Sequence, residues 1–167
     1  MADVTDTDYS VASDAIHGYG AQLLVGDGAS PETFQAVKGI VKITPGSIET
    51  ADIDTTHLRS PNRHREHRSG IRDSGQIGLE AIFLPDDESQ SYAGGGSGSF
   101  QNGGMLKFAE DGVNRNFVIR LNTASPALEL PFRGYVASWT PGEIGVDDKI
   151  MVNGSIQPSE DYASNLP

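Results

Sequence analysis

Arg59, Arg63, Arg65, Arg68 and Arg72 gather five of the twelve Lys and Arg residues into one short segment, and His57, His64 and His67 add three of the four histidines. Guanidinium groups hold carboxylates and phosphates through paired, fixed-geometry hydrogen bonds, so the cluster points to anion recognition. Three readings compete: a solvated loop, a loop that docks on the acidic surface of another copy, and a direct nucleic-acid contact. The last lacks the interleaved aromatics on which bases stack. Within the cluster, His64-Arg65-Glu66-His67 sets two histidines three apart. The His-Glu-x-x-His spacing of a zinc site is missing, and the flanking arginines would repel a dication.

Other chemistry is harder to find. The absence of cysteine removes disulfides, thiolate metal sites and cysteine nucleophiles. There is no Gly-x-Ser-x-Gly elbow, and the glycine-rich residues 94–104 lack the Gly-Lys-Ser/Thr ending of a phosphate loop. Asp86-Asp87-Glu88 and Asp147-Asp148 lack calcium-loop spacing and read as solvated surface. Strict alternation puts Tyr135 and Trp139 on one strand face, where they would form a sugar platform or, more simply, pack. No catalytic, cofactor or metal residues emerge, so the expectation is a protein that is not an enzyme.

The elements that position these residues follow from composition and pattern. The chain has 167 residues, 20 glycines, 9 prolines and a formal charge of −11. That glycine and proline content disfavours a helix bundle and suits a turn-rich β fold. The acidic balance argues against generic binding to DNA or anionic membranes. No apolar run approaches the length of a membrane helix, and residues 1–15 carry four Asp and no Lys or Arg, unlike a secretory signal. A soluble protein made in the cytoplasm is expected.

Residues 1–19 read as an acidic arm, 20–157 as one domain and 158–167 as a tail. Residues 21–25 form a short apolar run. Ser30, Pro31 and Glu32 have the order of a helix start, predicting one or two turns ended by Gly39. Strands are expected at residues 40–44 and 76–84, the second with Ile77, Leu79, Ala81 and Phe83 on one face. Asp86-Asp87-Glu88 would open a short helix. Residues 105–108 and 116–121 flank Glu110-Asp111-Gly112 as a hairpin, a long strand covers 128–139, and Asn153-Gly154 marks a second hairpin turn. The fold class is mainly β: an antiparallel β-sandwich or barrel with one or two short flanking helices and a long inter-strand loop.

Two stretches together carry a family resemblance. One is Gly26-Asp27-Gly28 followed by Ser30-Pro31-Glu32-Thr33-Phe34 through Val37-Lys38-Gly39-Ile40. The other runs from Asp54-Thr55-Thr56-His57-Leu58 through His64-Arg65-Glu66 and Gly70-Ile71-Arg72-Asp73-Ser74-Gly75 to a strand ending at Pro85-Asp86. In order, spacing and size the chain resembles the major tail (tail tube) proteins of long, non-contractile-tailed bacteriophages and related gene transfer agents. The resemblance implies a β-sandwich with a flanking helix, hexameric rings stacked into a tube, and DNA passing through without specific binding. It implies partners: other copies of the chain, a tape measure protein, a tail terminator and tail-tip proteins, with no membrane anchor. It also implies a tail location, after assembly in the host bacterial cytoplasm.

By position, His57, Arg59, Arg63, His64, Arg65, Glu66, Arg68, Arg72 and Asp73 match the loop that contacts the adjacent ring. Glu80 and Glu129, each mid-strand opposite an apolar face, are candidates for the channel wall, with a buried structural pair as the competing role. Six copies would carry about −66 before counterions screen it, a wall that repels phosphate. Two other readings stand: an accessory virion or surface module that binds carbohydrate or a receptor, and a single-ring tail terminator or head–tail joining protein.

Overall fold

In the computed structural model the residues described are 18–59, 64–95, 97–121, 127–146 and 148–159. The arm expected at the N-terminus and the tail at the C-terminus lie largely outside them. Among the described residues, short runs of alternating or continuous apolar residues, cut by glycine and proline, give nine strands. They are β1 (Gln22–Gly26), β2 (Phe34–Ala36), β3 (Ile40–Thr44), β4 (Ile48–Asp54), β5 (His67–Ser74), β6 (Ile77–Ile82), β7 (Arg115–Leu121), β8 (Leu128–Pro141) and β9 (Met151–Pro158). One helix, α1 (Met105–Asp111), and a 3-10 turn at Gly98–Phe100 complete the described elements.

Seven strands form one antiparallel sheet in the order β2-β1-β7-β8-β9-β6-β3, and β4 and β5 pair only with each other. The edge strands β2 and β3 are neighbours in the chain, joined by residues 37–39. Four Cα–Cα steps reach roughly 15 Å. A flat sheet of seven strands would hold its edges about 29 Å apart. The sheet therefore curls, and the expected sandwich is built from its two halves. β8 belongs to both halves: Leu128 through Gly134 pair with β7, and Gly134 through Pro141 pair with β9. The crossing point is Gly134, where a Cβ would stand 2.4 Å from the Gln157 carbonyl oxygen.

Between the halves lie Leu23, Val25, Ile77, Leu79, Ala81, Phe117, Ile119, Phe132, Val136, Val152 and Ile156, all buried. Phe117 stacks on Phe132 at 5.4 Å. The helix adds Met105 and Phe108, and Phe108 lies 6.1 Å from Phe100.

Local expectations failed where one signal has two uses. Residues 31–38 form no helix. The Asp27 carboxylate accepts hydrogen bonds from the Ala29 and Thr33 amides and the Thr33 hydroxyl. Glu32 accepts from the Gly28 amide and Asn116. These side-chain bonds hold a turn, and Phe34–Ala36 then pairs with β1. The Ser30–Pro31 bond is cis.

Conversely, Met105–Asp111 is a helix and not a hairpin arm, because Met105 and Phe108 share a buried face. Gly112 ends it as a left-handed cap at φ 60°. The residues from Asp86 to Glu88 form a turn, without a helix. Residues 94–104, expected to be flexible, bury Ser99 and Phe100, and the Ser99 hydroxyl donates to the Val25 carbonyl at 2.6 Å. Asn153-Gly154 is no turn but the middle of β9, where a Cβ on Gly154 would lie 2.5 Å from the Trp139 ring. Trp139 faces inward because the register shifts between Val136 and Ser138, which reverses the alternation. It is buried while Tyr135 stays exposed, so the two do not form a platform.

Replacing Gly154 with alanine should cost roughly 1–3 kcal/mol, because the Trp139 ring has nowhere to go. The change Gly112→Ala meets no atom within 4 Å and should cost about 1 kcal/mol through backbone conformation alone. Urea unfolding of both variants checks the order; a neutral Gly154→Ala would contradict the packing of Trp139.

Candidate assembly surface

The arginine-rich segment is a hairpin as much as a loop. β4 and β5 pair from Ile48↔Ser74 at the base to Asp54↔His67, with a register shift between Thr50 and Asp52 where β5 carries the extra residue. The base is fixed by the Gly75 amide to the Ser47 carbonyl at 2.7 Å and by Gln157 to the Ser74 carbonyl at 3.0 Å. Toward the tip, the Thr55 amide donates to the Glu66 carbonyl at 2.8 Å, and the Glu66 amide donates to the Thr56 hydroxyl at 3.0 Å. Asp54 accepts from Thr56, whose side chain first and amide second hold the carboxyl below its ordinary value.

The candidate contact residues distribute along this hairpin. His57 and Arg59 follow β4; His64, Arg65 and Glu66 precede β5; Arg68, Arg72 and Asp73 lie within β5. Arg63 is outside the described residues. His67 Nδ1 lies 2.8 Å from Asp52, and His57 Nδ1 lies 3.9 Å from Glu66. So the histidines sit beside carboxylates of the same hairpin. Among the described residues, no three His, Cys, Asp or Glu side chains are grouped to hold a metal ion.

The apolar residues of the hairpin are the main thing that the charge pattern left unread. Register puts Ala51 and Ile53 on one face with Ile71, and Ile53 covers Gly70, where an added Cβ would lie 3.1 Å from it. Ile48, Ile53 and Ile71 are exposed, and so is Leu58. The isoleucines alternate with Asp, Arg and Thr: Ile48 and Ile53 fall in a stretch that reads as strand-like, and Ile71 in the long polar segment after it. Every residue of β4 is exposed, as are all of β5 except Gly70 and Ser74. A two-stranded ribbon with an exposed apolar patch, flanked on the same face by Glu49, Arg68 and Asp73, is a poor independent structure in water. Its composition is that of a surface meant to be covered.

Glu80 and Glu129 are both half-exposed and both paired. Glu80 accepts from Lys42 at 3.1 Å across β3–β6, and Glu129 from Arg120 at 2.6 Å across β7–β8. They point away from the core on different halves of the sheet, and neither is a buried structural pair.

The end of the sheet opposite the hairpin is acidic. There Asp87 accepts from Lys38 at 2.8 Å and from the Ser89 hydroxyl at 2.6 Å. Buried Gln90 donates to the Lys38 and Ile82 carbonyls and accepts from the Leu84 amide. Partial burial pushes the Asp87 carboxyl up, but the bonds from Lys38 and Ser89 outweigh it and leave it below the ordinary value. An open apolar hollow of ≈ 750 Å³ between β3 and residues 18–21 has Ile43, Ile119, Leu121 and Leu130 on its wall. It presents no nucleophile with a base.

Comparison with known proteins follows the same direction. The family described as Lambda phage tail tube protein, TTP, matches residues 24–150. The fold is similar to a chain in the tail of an empty gene transfer agent particle, refined with C6 symmetry. There the TM-score is 0.58 at 14% identity, over 87% of this chain and 96% of that one. It is similar to a chain in the virion of a native gene transfer agent particle, with TM-score 0.59 at 13% identity over 87% and 95%. No curated protein matches by sequence.

The lowered Asp87 carboxyl sets a pH dependence. Its stabilisation is complete above the ordinary carboxylate value and is lost as pH falls through the lower folded value. Asp87→Asn should therefore cost about 1–2 kcal/mol at neutral pH. That difference from the native chain should close well below the ordinary carboxylate range, as read by urea unfolding across a pH series.

Proposed function

This chain belongs to the lambda phage tail tube protein family, a family of structural tail proteins, and we propose that it polymerises as hexameric rings stacked into a tail tube through which DNA passes. The observation that carries the reading is the β4–β5 hairpin: a ribbon fully exposed on β4, with an uncovered apolar patch at Ile53 and Ile71 and a concentration of arginine, on a chain of charge −11. In a ring stack that hairpin reaches the neighbouring ring, its apolar face is covered, and its guanidinium groups meet carboxylates. The C6 symmetry used for one structurally similar tail agrees with six copies per ring.

The strand edges of β2 and β3, unpaired on their outer sides within the sheet, are suited to joining copies within a ring. The net negative charge makes a channel wall that repels phosphate, so DNA slides without adhering. Glu80 and Glu129 remain candidates for that wall, and a wall built from one half of the sheet carries one of them. Each is offset by a neighbouring cation, so the wall's negative charge must come largely from other acids. The tape measure, terminator and tip proteins are the remaining partners of such a tube, assembled in the host cytoplasm. The carbohydrate-binding alternative loses its platform with the inward turn of Trp139.

Purified protein in a concentration series should give hollow tubes or stacked rings by negative-stain electron microscopy. The double variant Arg65→Glu, Arg68→Glu should keep its fold by circular dichroism and lose stacking. Added salt should reduce tube mass, since exposed pairs weaken once the Debye length falls below about 10 Å. Normal tubes from the reversed variant would contradict the role of the hairpin.

A further inference from the structure

The two ends of the half-sheet β8–β9–β6–β3 are chemically unlike. Ile77 pairs with Ile156 and Ile82 with Met151, so the hairpin, which enters β6 at Ile77, lies at one end. The loops at residues 83–91 and 142–150 lie at the other. They are tied together there by the Phe83 amide to the Ile150 carbonyl at 2.8 Å.

At the hairpin end, the sequence from 55 to 68 holds Arg59, Arg63, Arg65 and Arg68 against a single acid, Glu66. Leu58 is fully exposed there, and Ile53 and Ile71 are close by on the ribbon. At the opposite end, loop 142–150 exposes Ile144 at 79% and Val146 at 102%, with the exposed acids Glu143 and Asp148 beside them. Asp86 is exposed on the adjoining turn. Among the described residues no salt bridge reaches Asp86, Glu143 or Asp148. Beneath the loop is a hollow of ≈ 440 Å³ walled by Glu143, Asp148, Lys149, Met151 and Asn153, so the acids there outnumber one cation.

We propose that the outer part of the hairpin of one copy, at Leu58, Arg65 and Arg68, seats on the loop of the next copy that carries Glu143, Ile144, Val146 and Asp148, with Leu58 against Ile144 and Val146, and Arg65 and Arg68 against Glu143 and Asp148. The inference rests on the tube reading above and names the receptor for the hairpin. The two surfaces are complementary in their balance: exposed apolar side chains with an excess of cations on one, and exposed apolar side chains with an excess of anions, Lys149 notwithstanding, on the other. Both belong to one chain, so the occupant is a second copy. They are at opposite ends of the sheet, so a copy engaged by its hairpin still offers its loop, and the contact propagates instead of closing as a twofold dimer. Reach is adequate, since β4 alone spans about 24 Å over its seven residues.

The chain has no cysteine, so introduced thiols are the only ones. The variants Leu58→Cys, Val146→Cys and the double change place thiols on exposed side chains and should leave the fold intact. Treated with a short bismaleimide under conditions where tubes are seen, the double variant should give a denaturing-gel ladder running well past dimer. Each single variant should stop at dimer. Tubes without a ladder overturn this seat and leave the tube reading standing; no tubes from the native chain overturn both.

A second arm reads the charges. The pairs Arg65→Glu, Arg68→Glu and Glu143→Lys, Asp148→Lys should each cut the pelleted tube fraction at least tenfold, and all four changes in one chain should restore most of it. Native-like pelleting by the Glu143→Lys, Asp148→Lys variant would overturn the proposal.

Discussion

The short link at residues 37–39 is the constraint on which the rest depends. It joins the two edges of a seven-stranded sheet, so the sheet has to fold over and enclose its apolar face. Gly134 lets β8 turn from one half to the other at the required closeness, and Phe117, Phe132, Val136 and Ile156 fill the space that results. The same link is held from the side by Gln90 and by the ion pair of Lys38 with Asp87, so the turn that closes the sheet is among the more heavily hydrogen-bonded places in the fold.

The strands with uninterrupted patterns were legible in the sequence. Ile77, Leu79 and Ala81 face the core as their alternation required, and the length of β8 was close to expectation. Two of the errors share a physical origin: glycine followed or preceded by polar residues is compatible with several structures. Gly112 ends a helix where a hairpin was expected, and Gly154 makes room for an indole where a turn was expected. Local sequence shows that a glycine is needed but not what approaches it. Trp139 illustrates a second limit, since a single shifted residue in β8 moved it from one face to the other, and nothing between Val136 and Ser138 announces the shift.

The assembly surface was half legible. Charge concentration singled out residues 57–73 as a candidate contact, and Arg59, Arg65, Arg68 and Arg72 are exposed along the hairpin. The apolar side of that hairpin was hidden by the polar residues that alternate with it, and the pairing of β5 with β4 could not be read from either strand alone. Loop 142–150 was noticed only for its acids. Its Ile144 and Val146 become informative once the fold shows both side chains exposed.

The hairpin is not hinged onto the body. β4 follows β3 and β5 precedes β6 with very short connections, so both of its strands lead directly into a paired edge of the main sheet. In a tube of the proposed kind, tension along the axis would enter each subunit along these strands, at right angles to the hydrogen bonds between β3 and β6 and between β6 and β9. Those bonds would be loaded in shear, where they resist together, and not peeled open one at a time. Such a subunit would bend with the tail yet resist being pulled out of it.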